Sequence, residues 1–320
     1  MARSPLTLAA LATSAVPELD VVGASEFGSG SEGDYETAIL TGRDGRHWII
    51  RVPTSELAES EQSADLVALR ALSPGVRSRL PFSASTFAGQ APVGGTRAVV
   101  YEFVYGSKRP VDGFDGELAV SAGRAIAAIH ALPTSFIADA GLPVLSPTEI
   151  LRGLITVMDR AASTNLVPAA LLGRWERVTE DSMLWQFAPT VINGGITADS
   201  FLSVGDEISG VLDWHNLSVG DPARDLYWAL ASAGSDTVFD AYSLARGNAD
   251  RQVHQRALIY SELEVAKWLL HGTKQRDTEI VDDAVEMLTN LADSVNIDLD
   301  RDLGGLNGSS TTRARSSAVD

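Results

Sequence analysis

The sequence predicts an α+β fold in two lobes: an N-terminal five-stranded antiparallel sheet plus helix, followed by a C-terminal, mainly helical lobe. Three observations predict it. Short runs rich in Val, Ile and Thr, separated by turn-forming clusters, extend as far as residue 103. Beyond residue 115, apolar residues recur at helical spacing. Two brief strand-like runs near 201–212 interrupt the helices, and a helix-capping Gly-Asp-Pro follows at 220–222.

The N-terminal lobe is expected to begin with a short helix over 6–15 and to continue in strands. A turn-forming cluster, 41–46, joins the second and third strands as a hairpin. Thr54 or Ser55 is expected to cap a helix ending near Leu72, because leucines at helical spacing form an apolar stripe there. The expected strands are 19–24, 35–40, 47–52, 81–87 and 98–103.

The rest of the chain is expected to be helical up to a polar tail. Residues 1–106 form one predicted domain and 107–297 the second. Residues 298–320 are rich in Gly, Ser, Thr and Arg without apolar periodicity, so they are predicted to be a disordered tail. The expected helices are 118–132, 147–162, 168–183, 236–244, 251–270 and 277–295.

Composition limits the classes of partner. The 320 residues are 45% hydrophobic, enough for a sizeable core, and carry a formal net charge of −17. That charge argues against nucleic-acid or anionic-membrane partners, because both require clustered positive charge. The absence of cysteine excludes disulfides, thiolate nucleophiles and zinc sites built on sulfur.

The first sixteen residues allow two interpretations. Arg3 before an Ala/Leu run is typical of a weak signal peptide, but threonines and a serine interrupt the run, and the same residues form a short amphipathic helix. No segment approaches the ~20 apolar residues that cross a bilayer. A cytoplasmic protein is therefore expected.

The segment 191–230 carries the chemistry that the sequence suggests. Asp213 follows directly on a strand-like run, and Asp221 with Pro222 is a natural helix N-cap and first turn. Leu212-Asp213-Trp214 and Gly220-Asp221-Pro222-Ala223-Arg224-Asp225-Leu226 resemble the Ile-Asp-Trp and Gly-Asp-Pro-x-x-Asp-Leu motifs of macrolide and aminoglycoside phosphotransferases. The resemblance spans roughly residues 6–295 in order, and it implies a kinase-like fold.

The chain departs from that family in the preceding motif. Asn193-Gly194-Gly195 stands where the family has His-Gly-Asp, and Ser200 stands where it has a metal-binding Asn. The family's aspartate accepts the proton of the attacking hydroxyl, so the position of the base is Gly195 here. Asp199 is a weak substitute for that base.

The resemblance also implies a nucleotide site. Arg51 would face the phosphates, and Asp65, or secondly Glu61, would present an acid to Arg51. Gly28-Ser29-Gly30-Ser31-Glu32-Gly33 would cover the phosphates as a loop between strands; its alternative is a flexible Gly/Ser loop. The main chain of the hinge residues Glu102, Phe103 and Val104 would bind the nucleobase.

Magnesium with ATP or GTP is the implied cofactor. Asp213 keeps the place of the main metal ligand, and Ser200 is a weak second ligand because a serine hydroxyl is shorter and poorer than an amide oxygen. Two interpretations follow. One is a slow or impaired phosphotransferase that acts on a hydroxyl of a small-molecule acceptor such as a macrolide or aminoglycoside. The other is a catalytically dead relative that binds nucleotide, small molecule or a protein partner.

Overall fold

A computed structural model of the chain describes residues 3–27, 33–247 and 250–307, with side chains described as far as residue 293. The chain forms two compact units. Unit 1 comprises Met1–Ser146 and Ala188–His254, and unit 2 comprises Pro147–Phe187 and Gln255–Asp320. The predicted boundary at residue 106 does not coincide with this division, because the chain on both sides of that residue belongs to unit 1.

The described elements mix strands and helices, and the predicted α+β class is confirmed. The strands are β1 (Val21–Glu26), β2 (Tyr35–Gly42), β3 (His47–Pro53), β4 (Ser83–Ala84), β5 (Thr86–Val93), β6 (Thr96–Glu102), β7 (Thr190–Ile192), β8 (Phe201–Val204), β9 (Glu207–Val211) and β10 (Ser218–Gly220). The α-helices are α1 (Pro5–Ala15), α2 (Glu56–Ala71), α3 (Pro74–Arg77), α4 (Gly116–His130), α5 (Ser135–Asp139), α6 (Pro147–Ala162), α7 (Ala169–Glu180), α8 (Ser235–Arg246), α9 (Val253–Gln275) and α10 (Thr278–Asn307).

Within the described residues, the main sheet has five antiparallel strands in the order β1-β2-β3-β6-β5. The fourth strand in sequence is Thr86–Val93 rather than the expected 81–87. Its hairpin with β6 turns at Gly94-Gly95, and Gly94 has the positive φ that a two-residue hairpin turn requires. The expected segment instead supplies Ser83–Ala84, which pairs parallel with β9 in a separate sheet.

Two helices fix the main sheet. Leu8 and Ala12 of α1 are buried in one core cluster with Leu40, Ile50 and Val100 of the strands. The helix α2 begins where predicted, because the Ser55 side chain accepts a hydrogen bond from the N–H of Ala58 at 3.1 Å.

Smaller strands of unit 1 hold the loops that follow the sheet. β7 pairs with β10, and β9 pairs with both β8 and β4. Ser107 exchanges two backbone hydrogen bonds with Ser203 in β8, at 2.9 and 3.0 Å. The chain after β6 is therefore tied to the strand pair that leads into Asp213.

Unit 2 is helical in its described part. Glu262 of α9 is buried, and its carboxylate accepts hydrogen bonds from Arg174 Nε at 2.7 Å and Trp175 Nε1 at 2.9 Å. Burial raises the pKa of Glu262, against the lowering effect of Arg174 and of the Trp175 hydrogen bond. The helix pair α7 and α9 is thus joined by a buried polar contact.

Two predicted segments fall partly outside the described residues. Residues 28–32 of the glycine-rich loop lie there, as do residues 308–320 of the predicted tail. The last helix ends at Asn307 rather than near residue 295, since Leu299, Leu303 and Leu306 continue the helical spacing. Along the described chain, no helix is both long and apolar enough to cross a membrane.

Candidate functional site

A cavity of about 400 Å³ lies in unit 1, between the main sheet and the segment around Asp213. Apart from Ser200, six residues were predicted to bind the nucleotide or its metal through a side chain or the hinge main chain. All six line this cavity: Arg51, Asp65, Glu102, Phe103, Val104 and Asp213. They come from β3, α2, the end of β6 and the loop after β9. The structure therefore brings these residues together around one cavity, although the sequence did not supply the contacts within it.

Arg51 lines the cavity and contacts two other residues of the site. Its guanidinium carbon is 4.0 Å from the ring centroid of Tyr35, and its Nη1 is 3.6 Å from Asp213 Oδ1. Burial raises the pKa of Tyr35 to about 12, so the phenol stays protonated and donates to the carbonyl of Ala58 at 2.8 Å. The guanidinium thus contacts both an aromatic ring and a carboxylate.

Asp65 has a different partner from the one expected. Its Oδ1 accepts a hydrogen bond from the backbone N–H of Trp214 at 2.8 Å, and burial raises its pKa to about 6. The described ion pair of Arg51 is with Asp213, whereas the described hydrogen bond of Asp65 is with Trp214. Asp65 consequently ties α2 to the segment that carries Asp213.

The hinge residues border the other end of the cavity. Phe103 donates its N–H to the carbonyl of His47 at 3.2 Å, and its ring makes edge contacts with Phe27 and Tyr105 at centroid distances of 6.4 and 5.1 Å. Within the described residues, no hydrogen bond engages the main chain of Val104. An apolar wall with available backbone groups beside it suits a flat heteroaromatic ring.

Buried hydrogen bonds hold the backbone of the loop 193–195 in place. Asn193 is fully buried, and its Nδ2 donates to the carbonyl of Asp213 at 3.1 Å. The N–H groups of Asn193 and Gly194 donate to the two carboxylate oxygens of Asp225, at 2.7 and 2.8 Å. His130 Nε2 lies 3.2 Å from the same carboxylate. Asp225 therefore positions the loop 193–195 by accepting hydrogen bonds from its backbone.

Gly195 faces a second, smaller cavity of about 270 Å³. Asp199 is exposed and lines neither of these two cavities, so the loop acid named as a substitute base is not brought to the site. Gly194 has a φ of 83° and lies against the backbone of Asn216, a position that only glycine fits without strain. Gly195 is less constrained, since a Cβ there would meet the exposed side chain of Asn216.

Of the two predicted metal ligands, only Asp213 is available to a metal ion. Asp213 offers a carboxylate in the cavity, which suits a hard cation. Ser200 does not fit, because it is buried and its Oγ accepts the N–H of Thr197 at 3.1 Å in a capping box. In the part of the chain that the structure describes, no three Asp, Glu or His side chains are grouped to hold a metal ion.

Sequence reasoning missed several residues that the fold brings to the site. Tyr35, Gln62, Thr197 and His215 all line the smaller cavity. Gln62 donates from Nε2 to the carbonyl of Arg51 at 3.3 Å, which fixes the strand that carries the guanidinium. The helical spacing of Gln62 and Asp65 on α2 was the available signal, since residues three apart share a face.

Asp213 adopts a left-handed backbone conformation, with φ of 55°. Non-glycine residues rarely adopt it, and such residues cluster at functional sites. The hydrogen bonds from Asn193 to the Asp213 carbonyl and from Trp214 to Asp65 together hold the peptide group that joins Asp213 to Trp214.

Comparison with known proteins identifies the family of this chain. The profile of APH, the phosphotransferase enzyme family, matches residues 24–260. A curated relative, the uncharacterized protein YcbJ of Bacillus subtilis strain 168, is 21% identical over 203 residues. The match covers 60% of this chain and 65% of YcbJ, so the chain spans slightly less than two thirds of the relative's length.

Solved structures share the fold at low sequence identity. Macrolide 2'-phosphotransferase MphH from Brachybacterium faecium has a TM-score of 0.73 and 20% identity, covering 89% of this chain and 98% of that one. Macrolide 2'-phosphotransferase type I has a TM-score of 0.70 and 23% identity, over 90% and 98%. The GDP complex of aminoglycoside 2'-phosphotransferase-IIIa has a TM-score of 0.74 and 17% identity, over 91% and 99%.

Proposed function

Because the chain belongs to the phosphotransferase enzyme family, we propose that it transfers a phosphoryl group from a nucleoside triphosphate to a small molecule. The observation that carries the proposal is the pair of Arg51 and Asp213, 3.6 Å apart in a cavity whose other end is the hinge. A cation for the phosphates and a carboxylate for a metal therefore lie where a nucleotide would extend from the hinge.

The described residues suit the parts of a nucleotide. The base would lie against Phe27 and Phe103, with its polar edge at the main chain of Val104. The phosphates would lie at Arg51, whose guanidinium forms forked contacts with phosphate oxygens. Asp213 would hold magnesium, which neutralises phosphate charge when bound. The GDP complexes of related aminoglycoside phosphotransferases support this assignment of the cavity.

Transfer to hydroxyl acceptors is proposed to be slow. A positioned base contributes roughly a hundred- to ten-thousand-fold to such a step, and Gly195 has no side chain to act as one. Ser200 adds no free metal ligand, since its hydroxyl is engaged by Thr197. Turnover with macrolides or aminoglycosides should therefore fall below the 1–100 per second that is typical of kinases.

Relatives in the fold include macrolide and aminoglycoside phosphotransferases, so these compounds are the first acceptors to assay. Nucleic acid and membrane are not proposed as partners, given the net charge of −17. A cytoplasmic location is proposed, because nucleoside triphosphates are supplied there.

The second candidate is a catalytically dead protein that binds nucleotide, small molecule or a protein partner. Gly195 and the engaged hydroxyl of Ser200 favour it. Calorimetric titration with ATP and GTP, with and without magnesium, followed by a nucleotide-turnover assay on the same sample, separates the candidates. Binding with turnover supports the transferase, and binding without turnover supports a dead relative that binds nucleotide. Absence of nucleotide binding contradicts the transferase and leaves only a dead relative that binds a small molecule or a protein partner.

A further inference from the structure

Gly195 has no side chain that could act as a base, yet the hydrogen bonds that hold the surrounding loop are present. Asp225 still holds the N–H groups of Asn193 and Gly194, and Asn193 still contacts the Asp213 carbonyl. A general base is needed only when the attacking atom carries a proton that must be lost. A carboxylate has an ordinary pKa near 4 and is already ionised at neutral pH.

We infer that the acceptor phosphorylated at this site is a carboxylate, an inference that rests on the proposed function. One carboxylate oxygen would attack the γ-phosphorus of the nucleoside triphosphate. An O–P bond forms, the bond to the β,γ-bridging oxygen breaks, and its electron pair leaves with the nucleoside diphosphate. The acceptor loses no proton, so the products are an acyl phosphate and the diphosphate.

The two cavities are placed for such a transfer. Four residues line both of them: Arg51, Asp65, Tyr101 and Asp213. Arg51 therefore lies between the space assigned to the nucleotide and the space that Gly195 faces. Its described ion pair uses Nη1 alone, and a guanidinium has five N–H donors in a planar fork. It is positioned to contact the transferred phosphoryl group and an attacking carboxylate.

The charges around the smaller cavity limit the negative charge that an acceptor can carry. Its charged and titratable lining comprises Arg51, Glu61, Asp65, Asp213, His215 and the two phenols Tyr35 and Tyr101. Asp213 is paired with Arg51, which leaves Glu61 and Asp65 as the acids that oppose an anion. An aspartate at position 195 would add a further opposing charge beside the acceptor, and Gly195 does not. A dianionic phosphate ester would meet greater repulsion than a monoanionic carboxylate.

Acetate is a suitable first acceptor, because it is small enough for about 270 Å³ and has no other nucleophile. The full-length protein is incubated with ATP or GTP, magnesium, acetate and hydroxylamine, which converts acetyl phosphate to a coloured hydroxamate. Ethanol, of similar size but with a protonated oxygen, is the matched acceptor. We expect diphosphate release and hydroxamate with acetate, at least tenfold faster than transfer to ethanol.

Three variants sharpen the test. Glu61→Gln should lower KM for acetate by roughly threefold by removing an opposing, partly exposed charge. Gly195→Asp combined with Asn216→Ala, which makes room for the new side chain, should slow transfer to acetate and raise transfer to ethanol. Asp206→Asn, in the exposed turn between β8 and β9, should change neither rate.

Several outcomes would overturn the inference. One is nucleotide binding without any acetate-dependent hydroxamate, and another is transfer to ethanol at the rate of acetate. Transfer to ethanol that disappears in Asp199→Asn would make Asp199 the base and remove the reason for an ionised acceptor. If neither ATP nor GTP binds, the proposed function fails, and the acceptor class fails with it.

Discussion

The side-chain amide of Asn193 donates a hydrogen bond to the main-chain carbonyl of Asp213, at 3.1 Å. Asn193 is the first residue of the motif that differs from the family pattern. It therefore fixes the backbone of Asp213, the residue proposed to bind the metal. Asparagine retains a donor at this point although the family pattern has histidine there. Gly195 supplies no base to this motif, but the hydrogen bond from Asn193 that orients Asp213 is present.

Removing the Asp213 carboxylate should remove magnesium-dependent nucleotide binding. Asp213 is the carboxylate that fits the metal, and magnesium requires hard oxygen ligands. Asp213→Ala is expected to lose any magnesium-dependent rise in Tm produced by ATP or GTP. Asp206→Asn is the matched control and should keep the shift. An unchanged shift in Asp213→Ala would place the nucleotide elsewhere.

Removing the Asp225 carboxylate should destabilise unit 1 strongly. Asp225 is fully buried and accepts hydrogen bonds from Asn193 and Gly194, with His130 at 3.2 Å. Asp225→Ala leaves those buried groups without their acceptor, which costs about 3–5 kcal/mol of unfolding free energy. Urea denaturation measures the loss. A cost below about 1 kcal/mol, comparable to Asp206→Ala at the surface, would contradict this role.

Asp65 should make stability fall as pH rises. Burial raises its folded pKa to about 6 from the ordinary value of 3.8, so the folded protein binds the proton more tightly than the unfolded chain does. This contribution to unfolding free energy is largest below pH 3.8 and is lost as pH rises to about 6. Asp65→Asn keeps an acceptor for the N–H of Trp214 but cannot titrate.

Comparison of wild type with Asp65→Asn isolates that contribution. Urea denaturation at pH 4 and pH 7 should show the variant gaining stability relative to wild type at the higher pH. The same two measurements on Asp206→Asn correct for the general effect of one fewer negative charge. A variant difference that is independent of pH would show that Asp65 does not titrate in this range.

Gly194 and Gly195 should respond differently to an added methyl group. Gly194 has a φ of 83° and lies against the backbone of Asn216, so Gly194→Ala should cost about 1–3 kcal/mol of unfolding free energy. Gly195→Ala meets only the exposed Asn216 amide, 2.8 Å from the ideal Cβ, which can turn away. Equal losses for the two variants in urea denaturation would contradict the described geometry.

The sequence predicted the first strands of the sheet and the loop at Asp213 because their signals are local. Turn-forming residues at 41–46 and strand-forming runs located β2 and β3, and the motif around Asp213 located the loop. The fourth strand of the sheet was misplaced because the run near Phe82 is strand-like in composition, whereas the strand that pairs with β6 ends at the Gly94-Gly95 turn. Each of these signals depends on neighbours in the chain.

The contacts within the site could not be predicted in the same way. Asp65 and Trp214 are separated by 149 positions, and nothing local in either segment indicates that a backbone N–H will engage the carboxylate first. The shift in the pKa of Asp65 likewise depends on burial, which is set by the packing of α2 against distant loops. Ser200 was a weak ligand by residue type, and its capping role emerges only from the turn geometry.

The donors that hold the loop 193–195 onto Asp225 are main-chain N–H groups. Every residue except proline has such a group, so the shape of this loop does not depend on the identity of the side chain at position 195. Reactivity and architecture are therefore separable at this site. The proposed acceptor chemistry can therefore be exchanged by substituting Gly195 together with Asn216, while the cost in folding free energy stays confined to the space beside residue 216.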